Sequence, residues 1–200
     1  VCSSDLTVVS KSTKAPMYSD EISASKANNS MTISNTGEGL LYVKLVTEGV
    51  PVIGDASVAN NNVRMSVRYM NMDRDEISPS QIEQGTDFIA EVYVANEDTR
   101  GHLREMTINQ LFPSGWEIHN SRMDGFKSTL FNSDYDYRDI RDDRVYTYYS
   151  LGKGKSKTYQ IQLNATYLGK FYLPTIVTEA MYDEEINAHT AGMWVEVVKP

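Results

Sequence analysis

From Val63 onward the chain alternates between apolar and polar residues. Val63, Met65, Val67 and Tyr69 are separated by Arg64, Ser66 and Arg68. Successive side chains of an extended backbone point to opposite faces, so this stretch predicts a strand with one apolar and one polar face. Phe88, Ala90, Val92 and Val94 repeat the pattern against Glu91 and Tyr93. Tyr159, Ile161, Leu163 and Ala165 do so against Gln160, Gln162, Asn164 and Thr166. Met106 and Ile108, Val145–Tyr149, Phe171 through Leu173 to Ile176 after a turn at Leu168-Gly-Lys170, and finally Met193, Val195 and Val197 mark four further strands. Seven short strands separated by turns over about 140 residues predict two antiparallel sheets packed face to face.

Before Val63 the pattern is weaker. Met31–Asn35 and Leu40–Thr47 are strand candidates on either side of Thr36-Gly-Glu-Gly39, a hairpin turn by composition. Two strands are too few for a core of their own, so this part must complete something beyond the chain or pack on the residues C-terminal to it. Gly49–Asn62 contains Pro51, Gly49, Gly54 and an Asn triplet with little periodicity, and reads as a linker. The expected boundary separates residues 1–58 from residues 59–200. The chain opens on Val1 rather than Met, and is read as a piece of a longer protein.

One stretch inside the larger part departs from alternation. Arg122–Arg144 is long and charged, and predicts a loop with a short helix. Within it Asp134, Asp136, Asp139, Asp142 and Asp143 are interleaved with Arg138, Arg141 and Arg144. A calcium loop of the EF-hand kind needs Gly at its sixth position and Glu at its twelfth. Counting from Asp134, those positions hold Asp139 and Val145. The cluster therefore reads as a structural loop whose charges pair with one another at spacings of three and four, and no metal is expected.

Composition narrows the function classes. Hydrophobic residues are 40% and charged residues 23% of the chain, as in an ordinary soluble domain. A net charge of −8 argues against nucleic acid, which needs a basic face. A single cysteine excludes an internal disulfide framework. No apolar run reaches the roughly 20 residues of a membrane helix. Cys2 follows only Val1, with no apolar segment ahead of it to read as a signal peptide, and lipid attachment at that cysteine is not expected.

Catalytic patterns are missing as well. His102, His119 and His189 are widely spaced without a metal-ligand motif. No Gly-x-Ser-x-Gly elbow or phosphate-cradling glycine loop occurs, so neither an enzyme nor a cofactor is expected. Trp116, after the turn Pro113-Ser-Gly115, reads as a core landmark. Sugar stacking there would need a second exposed aromatic from Tyr146, Tyr148 or Tyr149, yet Tyr146 and Tyr148 share one strand face and are expected to pack. The sequons Asn28-Asn-Ser30 and Asn164-Ala-Thr166 carry little weight in a chain this rich in Asn, Ser and Thr.

Six segments carry a resemblance, in this order: Asn35-Thr-Gly-Glu-Gly-Leu-Leu-Tyr-Val43, Gln84-Gly-Thr-Asp-Phe88, Phe112-Pro-Ser-Gly-Trp-Glu-Ile118, Asp134–Tyr149, Asn164-Ala-Thr-Tyr-Leu-Gly-Lys-Phe-Tyr-Leu-Pro174 and Glu179-Ala-Met-Tyr-Asp183. Together they resemble the C-terminal end of bacterial alpha-2-macroglobulins, large thioester-containing protease inhibitors. The resemblance implies an all-β chain: a fibronectin-like macroglobulin β-sandwich over 59–200, preceded at 1–58 by part of a second β-sandwich, the closing strands of a CUB domain. The thioester motif, Cys with Gln three residues on, is not met by Cys2, which has Asp5 there.

The same resemblance implies the remaining expectations. The last domain would pack on the thioester domain of the parent chain, with Met181 and Tyr182, and more weakly Tyr172, shielding the thioester. Target proteases would be met through the parent. The setting would be the periplasm or cell envelope after export, the parent carrying a lipid anchor at a distant N-terminus. The competing reading is a cell-surface β-sandwich module that binds carbohydrate or protein.

Overall fold

The computed structural model describes residues 17–19, 21, 32–44, 46, 57–97, 100–119 and 130–200. The chain divides into two compact units, Val1–Glu48 and Gly49–Pro200. In the first, the Asn35 side chain closes a turn by donating from Nδ2 to the Gly39 carbonyl at 2.6 Å and accepting the Gly37 amide at 3.0 Å. The turn expected at 36–39 is therefore present. The strands expected beside it are not, since no described residue of 32–44 or 46 is in a strand. Ile33, Leu40, Leu41, Tyr42 and Val43 are all exposed, and a lone hairpin that buries no apolar face is marginal in water. Cys2, the first sequon and residues 49–56 of the linker lie outside the described residues.

The second unit is built only of strands among its described residues. In chain order they are Ala59–Asn61 (β1), Arg64–Asn71 (β2), Glu76–Ile77 (β3), Gln81–Glu83 (β4), Asp87–Ala95 (β5), Leu103–Leu111 (β6) and Trp116–Ile118 (β7). After them come Tyr137–Ile140 (β8), Arg144–Leu151 (β9), Ser156–Ala165 (β10), Gly169–Leu173 (β11), Val177–Ala180 (β12), Asp183–His189 (β13) and Met193–Val198 (β14). Three sheets result, with orders β1-β13-β12-β6-β9-β8, β3-β2-β5-β10-β7 and β11-β14-β4. All pairings are antiparallel except β14 with β4. An all-β antiparallel sandwich is thus what the alternation foretold.

The faces foretold as apolar are the faces that are buried. Phe88, Ala90, Val92 and Val94 on β5 meet Tyr159, Ile161 and Leu163 on β10, and Met65 and Tyr69 on β2, in two apolar clusters. The first cluster adds Leu103, Met106, Ile108, Tyr149, Leu151 and Ile186 from the six-stranded sheet. The second adds Ile82, Leu173, Val195 and Val197 from the three-stranded sheet, with Trp116. The five-stranded sheet is one wall of both. Trp116 is 3% exposed and stands edge-on to Phe88, ring centroids 5.0 Å apart, a core landmark as expected. The turn before it docks beneath Phe171, whose ring lies so close over Gly115 that an added Cβ would come within 2.3 Å of it.

Four local expectations are corrected. The end of the linker, Ala59–Asn61, is a strand, because its Asn-rich backbone pairs with the edge of β13 and Asn61 donates to the Asn187 side chain at 3.0 Å. Residues 137–140 of the charged stretch form β8 on β9, and no helix occurs among the described residues of that stretch. Phe171–Ile176 is not one strand. β11 belongs to the three-stranded sheet and β12 to the six-stranded sheet, the change falling after Pro174, which has no amide proton for a ladder. On β9 the core takes Val145, Thr147, Tyr149 and Leu151. Tyr146 and Tyr148 stay half-buried on the other face, Tyr148 stacking on Tyr137 at 5.9 Å.

Buried polar groups are mostly satisfied. Thr178 Oγ1 donates to the Thr107 carbonyl at 2.9 Å and lies 2.7 Å from the Tyr149 hydroxyl. Glu91 accepts from Arg68 and from Gln160, each at 2.6 Å. Gln110 is different. It sits on β6 between Ile108 of one cluster and Phe112 of the other, fully buried, and neither amide atom has a partner among the described residues. An unsatisfied buried amide costs about 1–3 kcal/mol. Gln110→Met, of similar volume, is expected to raise the unfolding free energy by about 1–2 kcal/mol in urea titration. A loss of stability would show that the amide is satisfied after all.

Candidate functional site

The exposed apolar residues of the second unit point to the hairpin between β12 and β13. Its two-residue turn consists of Met181, 51% exposed, and Tyr182, 82% exposed. Large apolar side chains at a strand tip leave water only by meeting another surface. The tip is held from both flanks. On one, the Met181 amide donates to the Glu105 carbonyl of β6 at 3.0 Å. On the other, the Glu185 carbonyl accepts Asn62 Nδ2 at 2.8 Å while its carboxylate pairs with Arg100. Within β13, Asp183 Oδ1 accepts the Glu185 amide at 3.1 Å and Asn187 Nδ2 donates to the Glu184 carbonyl at 2.7 Å.

Tyr172, the third residue expected at this surface, lies on β11 in a different sheet from Met181 and Tyr182. Its partner is one that sequence reasoning did not single out. Trp194 on β14 is 52% exposed and stands edge-on to Tyr172, centroids 5.5 Å apart, with Lys170 Nζ 5.5 Å above its ring. The signal was available, since an inward Met193, Val195 and Val197 leave position 194 outward by parity. Tyr172 is fixed by a close approach over Gly192, where an added Cβ would lie 2.1 Å from its hydroxyl.

The aspartate cluster is dispersed by the strand it turns out to contain. Arg138 on β8 is buried, donates to Thr147 Oγ1 at 3.1 Å and Asn132 Oδ1 at 3.0 Å, and lies over the rings of Tyr135 and Tyr159. Arg141 pairs with Asp139, Arg144 with Asp143 and Lys157 with Asp134. Spacings of one and two, and for Asp134 a partner on β10, replace the expected three and four, because a strand does not bring i and i+4 together as a helix does. Hydrogen bonds from Lys157 and Arg144 hold the Asp134 and Asp143 carboxyls below the usual carboxylate range. Among the described residues no three His, Cys, Asp or Glu side chains converge on a metal position. The second sequon is taken up structurally, Asn164 donating to Asp87 at 2.9 Å and accepting from Thr166 at 3.0 Å.

A family model described as the bacterial alpha-2-macroglobulin MG10 domain matches residues 63–185, which include Tyr172, Met181 and Tyr182. The chain belongs to the bacterial alpha-2-macroglobulin family. An alpha-2-macroglobulin of Rickettsia conorii is 25% identical over 195 residues, 92% of this chain and 10% of that protein. One of Pasteurella multocida is 29% identical over 93 residues, 46% of this chain and 5% of that protein. The chain thus spans a tenth or less of the length of these relatives. Among solved structures, Salmonella alpha-2-macroglobulin reacted with methylamine superposes with a TM-score of 0.65 at 20% identity, covering 76% of this chain and 10% of that one. Native Escherichia coli alpha-2-macroglobulin from domain MG7 to the C-terminus gives 0.64 at 18% identity, covering 74% of this chain and 25% of that one. At that identity the likeness is one of fold. No helix among the described residues is long and apolar enough to cross a membrane.

Gly192→Ala is expected to push the Tyr172 ring off Trp194. Acrylamide quenching of Trp194 should then rise while buried Trp116 stays protected, as read in the single-tryptophan variants Trp116→Phe and Trp194→Phe. Unchanged quenching of Trp194 would mean that Tyr172 does not depend on the glycine.

Proposed function

We propose that this chain is the C-terminal part of a bacterial alpha-2-macroglobulin that inhibits endopeptidases by covalent capture. Residues 1–58 are the end of its CUB region and residues 59–200 its last macroglobulin-like domain. This part contributes no covalent chemistry of its own and is no enzyme; it holds the thioester domain of the parent closed until cleavage by a target protease releases it. The observation that carries the reading is the braced Met181–Tyr182 tip, two exposed apolar side chains fixed at the end of a hairpin within the family-matched segment. A thioether is apolar and adaptable, and excludes water from a thioester without offering a nucleophile to attack it. The solved Salmonella relative that has been reacted with methylamine supplies the assay, since an amine small enough to reach a thioester reports how well it is covered. Export to the periplasm or cell envelope belongs to the same reading.

Met181→Ala in the full-length parent removes part of that cover. Weakening the closed state by about 1.4 kcal/mol makes transient opening about tenfold more frequent. Free thiol released by methylamine or water should appear correspondingly faster. Met193→Ala, a partly buried residue packed against the second cluster, should leave the rate unchanged. Equal rates in wild type and Met181→Ala, or equal acceleration in both variants, would reduce Met181 to an ordinary packing residue.

The Trp194–Tyr172 pair favours a second reading, a surface module that binds carbohydrate by stacking on exposed rings. Under it, the 200-residue chain alone retains glycans on a polysaccharide array and loses them on Trp194→Ala. Under the first reading it retains none.

A further inference from the structure

Two strand pairings change register at the level of the tip. Between β6 and β9, Leu103 faces Leu151 and Met106 faces Tyr149, so Arg104 and Glu105 stand opposite Ser150 alone. Between β12 and β13, Glu179 faces Asn187 but Ala180 faces Asp183, so Glu184, Glu185 and Ile186 are extra on β13. Ala180, the residue before Met181, is the rung that pairs with Met106 on one side and Asp183 on the other. Both irregularities therefore end beside the same residue.

The β6 bulge is also strained. Glu105 has φ 52°, in the left-handed region that suits Gly and, less well, Asn. A straight strand would avoid that conformation, and a bulge of this geometry ordinarily takes Gly. At this bulge the Glu105 carbonyl accepts the Met181 amide, one rung beyond the Ala180–Met106 pair of the β6–β12 ladder. The Glu105 side chain itself is exposed to solvent. Asn62, likewise in the left-handed region at φ 57°, secures the opposite flank through Glu185.

We infer that Glu105 is a positioning residue for the Met181–Tyr182 tip, acting through its left-handed backbone and carbonyl and not through its carboxylate. The inference rests on the proposed role of the tip in covering a thioester, and assigns the device that aims it. Bulges that re-aim a side chain beside a functional position are a known use of the irregularity, and strain held in place by surrounding structure collects at such positions.

The test is a series at position 105 in the 200-residue chain, read by hydrogen exchange of the Met181 amide. Glu105→Gly and Glu105→Asn tolerate the left-handed region, and Glu105→Lys reverses the charge without changing the backbone. All three should keep Met181 protection at the wild-type level. Glu105→Val, β-branched and excluded from that region, should speed Met181 exchange about tenfold while the Ile108 amide in the core of β6 stays protected. Should Glu105→Val fail to fold, Glu105→Thr, β-branched but polar, takes its place with a smaller effect of the same sign. In the parent protein, Glu105→Val should also release thiol faster, and Glu105→Lys should not. Faster Met181 exchange with unchanged thiol release supports the brace and overturns the thioester cover. Unchanged Met181 exchange in the Val and Thr variants overturns the brace, whatever Met181→Ala does. Equal loss of protection in Glu105→Lys and Glu105→Val overturns the backbone mechanism.

Discussion

The pairing of β5 with β10 is the constraint on which the sandwich depends. The two strands are in register from Asp87 with Asn164 to Ala95 with Ser156, and their inward residues enter both apolar clusters. Phe88 and Ala90 with Ile161 and Leu163 wall the cluster under the three-stranded sheet, and Val92 and Val94 with Tyr159 wall the cluster under the six-stranded sheet. Full burial of one such side chain is worth about 1.5–3 kcal/mol. A slip of one residue would turn the whole set outward. The two clusters therefore stand or fall with a single register.

The other side of the sandwich has no such continuity, and there the chain changes sheets. Pro174 separates β11 from β12, so that Leu173 closes one cluster and Ile176 the other. This crossing is what delivers β12 into the middle of the six-stranded sheet, between β6 and β13, with its turn at the sheet's end. The tip inherits rigidity from two neighbours and exposure from its place at the rim. Apolar side chains are held there in water by hydrogen bonds to the backbone.

The aromatic residues divide along the same lines. Trp116, Phe88 and Tyr69 pack edge to face inside the second cluster. Trp194 and Tyr172 form an equally close pair on the outside of the sheet that covers it. Arg138, enclosed by Tyr135 and Tyr159, shows a third use, a buried guanidinium lodged against ring faces as well as hydroxyl and amide oxygens. The acidic surroundings of residues 134–143 are thereby tied to strand geometry.

The alternation of Val63–Tyr69, Phe88–Val94 and Tyr159–Ala165 by itself determined the all-β class and the inward faces, because period two is a local property of extended chain. The six family-like segments likewise determined kinship, and the burial of Trp116 followed from its turn. What the tertiary structure alone decided was everything that depends on which strand lies beside which. β1, β8 and β13 carry polar or charged sequences that only a neighbouring edge makes into strands. Phe171–Ile176 reads as one apolar run, and only two separate sheets divide it. Met181 and Tyr182 were legible as residues, but their separation from Tyr172 was not. Glu105 gave no local sign at all, having neither the glycine nor the turn composition that marks a bulge. Its left-handed backbone is stabilised by the strands on either side, and no pattern along a single strand encodes that.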